Sequence, residues 1–488
     1  MIAVFVGGKY NGQEMPVEKV WDFAVGATEN LSEVRANGGL VHRAELDDQP
    51  IVNGYAGTGK TTAVSAVIRT MRSLQTPCVL LAPTGRSAKV LSSYTGLPAF
   101  TVHKHIYRQK SHGDDGFGQF GLGFNKAKNT LFIVDEVSLL TIEDRSQGAI
   151  FGNGNVLGDL IQFVRSGAEC RLILIGDSAQ LPPIGLDASP ALSQEYMDGE
   201  FGGVRYTTLT TVVRQQKESG ILRNATRLRS ILEDPLFEDM ALEDLGLCVE
   251  GFDDVCRIGG GELLEALSDA YSRYGEDETI VLCRSNKRAI RYNAGIRAQV
   301  QYKEDRLVRG DKLMIVKNCY HFVDDVEGLD YIANGDIAKL LRISHFEERY
   351  GLNFADARLS LPDYGDQEMT AKVLLDTLES ESPSLTYELA HQLYQGVDAD
   401  YSHIPSKKKR YEAVREDPYF NALQLKYANA ITCHKSQGGQ WKCVFIDNAF
   451  WQDFLVADDL KWLYTALTRA VEKVYLVNFK DALFKTDA

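Results

Sequence analysis

Nowhere in its 488 residues does the chain hold an apolar run of the ~18–20 residues that a membrane helix needs. Its first residues, M-I-A-V-F-V (1–6), lack a basic leader and are too short for a signal core. They read as an edge strand and turn, and the expected compartment is the cytoplasm. Cysteine is sparse: eight are scattered along the chain, none in C-x-x-C and none clustered with His at zinc spacing. Buried thiols in a reducing compartment are expected. The H-x-H at His103 and His105 has no Cys or carboxylate beside it and is a weak metal signal. Cationic excess is missing too: 53 Lys and Arg face 67 Asp and Glu, a net charge of −14, which excludes a polycationic binder. A local basic groove for a polyanion stays open. Short repeats and low-complexity tracts are absent, and 44% hydrophobic residues exclude a largely disordered chain.

What is present is alternation. Short, near-continuously apolar runs occur at 51–52, 78–81, 131–134 and 171–175, with helical sequence such as 61–73 between them. Such runs suit strands buried on both faces of a parallel sheet. A second set lies at 279–283, 430–433, 443–446 and 473–477. The chain therefore reads as two α/β domains. Two stretches break the rhythm. Residues 108–128 are Gly-rich with Phe117, Phe120 and Phe124 interleaved, and suggest a hairpin or loop inserted in the first domain. Residues 338–425 pass from short strand-like pieces to polar helical sequence with S-K-K-K-R (406–410), and suggest an inserted subdomain. The acidic stretch 233–254 reads as a solvated linker face.

The strongest local signal is G-Y-A-G-T-G-K-T (54–61), a complete G-x-x-x-x-G-K-[ST] after a strand and before a helix. Backbone N–H groups of Gly54, Ala56, Gly57, Thr58, Gly59 and Thr62 are placed to curl around phosphates at a helix N-terminus. Lys60 is expected at the β- and γ-phosphates and Thr61 at Mg²⁺. L-F-I-V-D-E (131–136) carries two acids to the end of another strand: Asp135 for the metal, Glu136 to orient and deprotonate water. A third strand ends G-D-S-A-Q-L-P-P (176–183), where Gln180 suits a γ-phosphate or the lytic water, or else closes a polar turn. Arg214 and Arg469 are candidate finger arginines delivered by the second half, or else interdomain ion pairs.

Together these residues resemble superfamily-1 DNA helicases of the 5′→3′ branch, the RecD-like and Dda-like group. The resemblance runs in order through A-P-T-G-R-S-A-K-V (82–90), T-V-H-K (101–104), V-D-E-V-S (134–138), V-V-R-Q (212–215), N-G-D (334–336), C-H-K-S-Q-G (433–438) and Y-T-A-L-T-R-A (464–470). It implies an α/β fold of two RecA-like parallel-sheet domains with ATP and Mg²⁺ in their cleft. The implied layout is an N-terminal segment 1–50, a first domain 51–205 with a pin at 108–128, a second domain 206–337 and 426–488, and an SH3-like insertion 338–425. Pro83, Thr84, Arg86, Thr101 and His103, with Arg284, Asn286, Thr432, His434 and Lys435, are implied contacts to a DNA strand. Phe117, Phe120 and Phe124 are either a wedge at a duplex junction or packing of the hairpin on its own domain. Gly438 and Gln440 are implied at the nucleotide, Gln440 standing where the group usually has Glu. The adenine-reading Gln usually found before the P-loop has no counterpart in 20–48, and Gln13 is the weak substitute.

The resemblance thus implies an ATP-dependent 5′→3′ helicase acting on single-stranded DNA and strand junctions as a monomer, bacterial or phage-encoded, in replication, recombination or repair. An RNA helicase or RNP remodeller of the same superfamily is one alternative. A non-unwinding P-loop ATPase switch is the other.

Overall fold

The structure is a computed structural model that describes residues 2–4, 14–16, 49–55, 58–111, 119–142, 154–202, 204–209, 219–234, 236–323 and 332–485. Strands β1 (Ile2–Val4) and β2 (Glu14–Pro16) pair antiparallel. The first main sheet begins with β3 (Gln49–Gly54), β4 (Cys78–Ala82) and β5 (Ala99–Thr101). After β5, strands β6 (Tyr107–Ser111) and β7 (Gln119–Leu122) form a separate antiparallel ladder. The sheet resumes with β8 (Leu131–Val134), β9 (Arg171–Gly176) and β10 (Val204–Leu209), in the order β10-β3-β9-β8-β4-β5. Every pairing in it is parallel.

Period-two alternation explains why these strands read as continuous apolar runs. Phe132, Val134, Leu172 and Leu174 pack on one face with Leu157, Leu160 and Phe163. Leu131, Ile133, Ile173 and Ile175 pack on the other with Val64, Val67 and Ile68. Both faces are covered, so no polar position survives. Because the strands are parallel, the ends at Gly54, Ala82, Val134 and Gly176 share one edge, and that edge carries the motif residues.

The second half repeats the scheme. Strand β11 (Asp239–Ala241) pairs with β21 (Phe454–Val456), outside the main sheet. The sheet itself is β12 (Val255–Ile258), β22 (Ala470–Val477), β20 (Trp441–Asp447), β13 (Thr279–Cys283) and β19 (Ala430–Thr432), in that order and all parallel. The two RecA-like parallel-sheet domains expected from the sequence are the fold observed. Strands β14 (Lys312–Ile315), β15 (Ile337–Arg349), β16 (Leu352–Leu361), β17 (Gln367–Leu374) and β18 (Leu423–Tyr427) close a barrel. Helices Tyr387–Asp400 and Lys407–Glu416 pack on its β15–β16 end through Leu393, Val397, Val414 and Phe354.

Three details differ from the sequence reading. Strand β10 runs on to Leu209, past the boundary at 205. The barrel takes in β14, upstream of 338, because K-L-M-I is buried throughout and does not alternate as a half-exposed strand would. The acidic stretch is not a free linker. Leu242, Leu245 and Leu247 are buried in the second domain's core while Glu243 and Asp244 face out. Among the described residues no helix is long and apolar enough to cross a membrane. All eight cysteines are free thiols.

A buried charge cluster sits where the helical turn Ile296–Val300 of the second domain leads into the barrel. The fully buried Asp311 accepts from Arg297 at 3.0 and 3.1 Å, from Lys303 at 3.1 Å and from the Val308 N–H at 2.9 Å. Asp311→Ala leaves two cations facing each other without a counter-charge. It should cost about 3–5 kcal/mol, read as a lower urea midpoint of unfolding.

Candidate nucleotide and nucleic-acid site

The P-loop begins where β3 ends. A Cβ on Gly54 would lie 2.7 Å from Lys60 Cγ, so the loop closes over its own lysine only because Gly54 has none. Gly59 has φ +82°, a left-handed conformation that lets helix α1 (Lys60–Ser73) start abruptly. The Thr58 hydroxyl donates to the Tyr55 carbonyl at 2.8 Å. Lys60 Nζ donates to the carbonyls of Gly54 and Tyr55 and stands 3.5 Å from Asp177 Oδ2. Thr61 and Thr62 follow in the first helical turn, Thr62 exposed. Ala56 and Gly57 lie outside the described residues, as does the side chain of Thr61.

At the end of β8, the Asp135 N–H donates to the Leu81 carbonyl at 3.0 Å, and Asp135 Oδ1 accepts from the Glu136 N–H at 2.9 Å. Burial, and then the charge of Glu136, push the Asp135 carboxyl up to about 7, against the pull of the Glu136 N–H and Lys60. Glu136 itself has φ +54°, strain of the kind that collects at functional positions. Its Oε2 is buried with no hydrogen-bond partner among the described residues, and so is Gln180 Oε1. Two orphaned acceptors beside a crowded carboxylate pair fit a hydrated cation and a water molecule. Asp135 would hold the metal, whose charge would polarise the phosphate.

The sequence reading assigned no role to Asp177, yet it joins the two halves. Fully buried, it accepts from the Ala179 N–H at 3.1 Å and from the Tyr464 hydroxyl at 2.9 Å. Next to it, Leu181 donates its N–H to Thr465 Oγ1 at 2.9 Å, and Gln437 Nε2 donates to the Leu181 carbonyl at 3.0 Å. A Tyr-Thr pair inside the apolar run W-L-Y-T-A-L (462–467) of helix α2 (Ala457–Leu467) was the available signal. Likewise unread were Arg229, whose guanidinium stands 4.0 Å over the Tyr55 ring, and Glu233, which accepts from the Tyr55 hydroxyl.

The arginines stand differently. Arg469 is buried and donates to its own half: Thr465 O at 3.1 Å, Gly439 O at 3.3 Å and Thr468 Oγ1 at 3.3 Å. Arg214 lies outside the described residues, as does Gln13. Gly438 has φ +77° and packs against Ser87, while Gln440 is exposed.

The expected strand contacts fall at strand ends and helix starts. Thr84 and Thr101 are helix N-caps, accepting from Ser87 N–H at 3.1 Å and Lys104 N–H at 3.3 Å. Pro83 precedes the first cap and His103 follows the second, its ring 5.8 Å from that of Tyr107. Arg86 stacks on Trp441 at 4.4 Å. In the second half, Arg284 pairs with Asp458 at 2.5 Å and Asp459 at 2.6 Å, and Asn286 donates to the Glu381 carbonyl at 2.9 Å. Burial lowers the His434 imidazole. Thr432, Lys435, Asn286 and Lys426 line one cleft. Lys435 Nζ is buried without a hydrogen-bond partner among the described residues, and burial lowers it to about 8. Lys426 is also lowered to about 8, by burial and then by Lys435.

Of the phenylalanines, Phe124 is 80% exposed, Phe120 sits on β7 with its side chain outside the described residues, and Phe117 lies wholly outside them. Among the described residues no cluster of three or more metal-ligating side chains occurs. His105 packs edge-on against Phe132 and Phe163 instead.

Residues 43–233 match an AAA domain, and residues 427–477 match a UvrD-like helicase C-terminal domain. The chain is 37% identical over 164 residues to the ATP-dependent RecD2 DNA helicase of Deinococcus radiodurans, covering 34% of this chain and 20% of that protein. It is 24% identical over 462 residues to the ATP-dependent DNA helicase dda of Enterobacteria phage T4, covering 87% of this chain and 93% of that one. Among solved structures it is similar to a Pif1 helicase from Bacteroides in complex with ADP-AlF3 and ssDNA. That likeness has 15% identity, covers 94% of each chain and has a TM-score of 0.46. The chain spans only a fifth of the length of RecD2 and nearly all of Dda. With the two domain matches in order and the motif edge assembled as described, the chain is similar to superfamily-1 helicases of the RecD/Dda type.

Proposed function

We propose that this protein hydrolyses Mg²⁺-ATP between its two RecA-like halves to move 5′→3′ along single-stranded DNA and to separate duplex at a junction. The observation that carries this reading is Asp177, which ties the P-loop lysine to Tyr464 of the other half. A nucleotide that draws Lys60 to its phosphates changes the partners of that carboxylate. Hydrolysis is thereby linked to the fit between the halves. Asp135 would hold Mg²⁺ with Thr61, Glu136 would take the proton of the attacking water, and Gln180 would orient it. Arg214 and Arg469 would neutralise the transferring phosphoryl group. Arg469 would have to leave its bonds to Gly439 and Thr468 to do so.

The strand would lie over Pro83, Thr84, Arg86, Thr101 and His103 on one half and Arg284, Asn286, Thr432, His434 and Lys435 on the other, gripped mainly by its phosphates. The 108–128 stretch, with Phe117, Phe120 and Phe124, would serve as the pin, and the barrel as the SH3-like insertion. One chain supplies every part, so a monomer suffices. Strand displacement on partial duplexes with a 5′ or a 3′ tail tests the reading. Unwinding from the 5′ tail alone is expected, and unwinding from the 3′ tail alone would overturn the polarity.

Glu136→Gln keeps the shape but removes the base. ATP and ssDNA binding should stay within about twofold while turnover falls roughly 10²-fold or more, measured by phosphate release. Lys435 gives a pH signature. Its folded pKa lies below its unfolded one, so the unfolded chain holds more protons between about 8 and 10.5, and stability rises with pH across that window. Strand binding runs the opposite way, because the ammonium attracts phosphate only below about 8. Affinity for ssDNA should fall as pH rises from 7 to 9. In Lys435→Met it should be weaker at pH 7 and fall less steeply, since one of the two titrating cations is gone while Lys426 stays lowered chiefly by its burial. Fluorescence anisotropy of a labelled oligothymidylate across the pH range checks this.

A further inference from the structure

The N-G-D triplet (334–336) has no part in the reaction just described, yet it makes a close contact between the two halves. It is met by the helix Gly85–Thr95, which starts at the strand-contact turn Pro83–Thr84. Residues along the first turns of that helix touch the other half. A Cβ on Gly85 would lie 2.0 Å from Ala333 Cβ. The Arg86 guanidinium covers Trp441, and Ser87 abuts Gly438. Lys89 Nζ reaches Asp336 Oδ1 at 2.9 Å and lies 3.4 Å from the centroid of the Tyr364 ring. Asp336 is fully buried and also accepts from the Tyr364 hydroxyl at 2.9 Å and the Ala333 N–H at 3.0 Å. Those two donors are neutral, so Lys89 supplies the counter-charge. The opposite side of the same helix places Leu91 in the core with Val64, Ile68 and Met71 of the P-loop helix. One rigid element therefore touches the P-loop helix, the strand-contact turn and the barrel.

We propose that Lys89 and Asp336 form a latch that couples nucleotide state to the grip on the strand. This rests on the helicase reading above. The steric contacts at Gly85 and Ser87 permit sliding, whereas separating a buried carboxylate from its counter-ion does not happen gradually. The pair therefore favours one register of the helix against the barrel, which is the two-state element that coupling requires. Lys89 and Asp336 are positioning residues and touch neither nucleotide nor strand.

The test is linked binding: affinity for a fluorescein-labelled oligothymidylate, measured with and without Mg²⁺ and a non-hydrolysable ATP analogue. For the wild-type protein the two affinities should differ by about fivefold or more. In Lys89→Met and in Asp336→Asn the ratio should drop below about twofold, with affinity for the analogue held within about twofold. The charge exchange Lys89→Asp with Asp336→Lys should restore part of the ratio, which lost packing would not do. If Asp336→Asn fails to fold, Lys89→Met decides alone, because Lys89 sits at the rim with 21% of its side chain exposed. A wild-type ratio retained in Lys89→Met overturns the latch and leaves the helicase reading standing. Failure of the wild-type protein to bind the oligothymidylate overturns that reading, and the latch with it.

Discussion

A buried carboxylate is costly unless a counter-charge and hydrogen bonds compensate it, and the two halves of this chain meet at one that is so compensated. Asp177 has Lys60 at 3.5 Å and the Tyr464 hydroxyl at 2.9 Å, one from each half. Neither donor can be withdrawn without leaving the charge less well compensated. The neighbouring bonds from Leu181 to Thr465 and from Gln437 to Leu181 hold the same loop against the second half. The phosphate edge of the first sheet is thus built with parts of the second. Whatever engages Lys60 acts on both.

The nucleic-acid edge follows a different economy. The protein is acidic overall, and several of its expected strand contacts already have partners at home. The Thr84 and Thr101 hydroxyls cap helices, and Arg284 is neutralised by Asp458 and Asp459. Attraction for a phosphate then concentrates where burial has depressed cations, at Lys426 and Lys435. In the proposed reading, a strand entering there would restore charge to groups that burial holds partly neutral. Contacts of that kind would go to phosphates and would not depend on base sequence.

Much of this was legible before the fold was seen, for physical reasons that can be named. The parallel sheets were readable because strands covered on both faces leave no polar position, as Leu131 to Val134 show. The P-loop was readable because Gly59 must adopt a positive φ and Gly54 must lack a Cβ, and those demands fix the spacing. The barrel's first strand was missed because Lys312–Ile315 is separated by some twenty residues from the β15 strand it pairs with, and looks like any buried run. The acidic stretch misled because its leucines are outnumbered by acids, although burial answers to Leu242, Leu245 and Leu247 and not to the average. Asp177 with Tyr464, and Tyr55 with Arg229, lie too far apart in sequence for any spacing rule to pair them.

The account's central claim is that strand and nucleotide act on each other through the contact between the halves. The most direct measurement is ATP turnover at low salt with and without single-stranded DNA, with single-stranded RNA of the same length in parallel. The account predicts strong stimulation by DNA. Equal turnover with and without nucleic acid would contradict it and leave a P-loop ATPase switch. Stimulation by RNA alone would keep the coupling and reassign the strand.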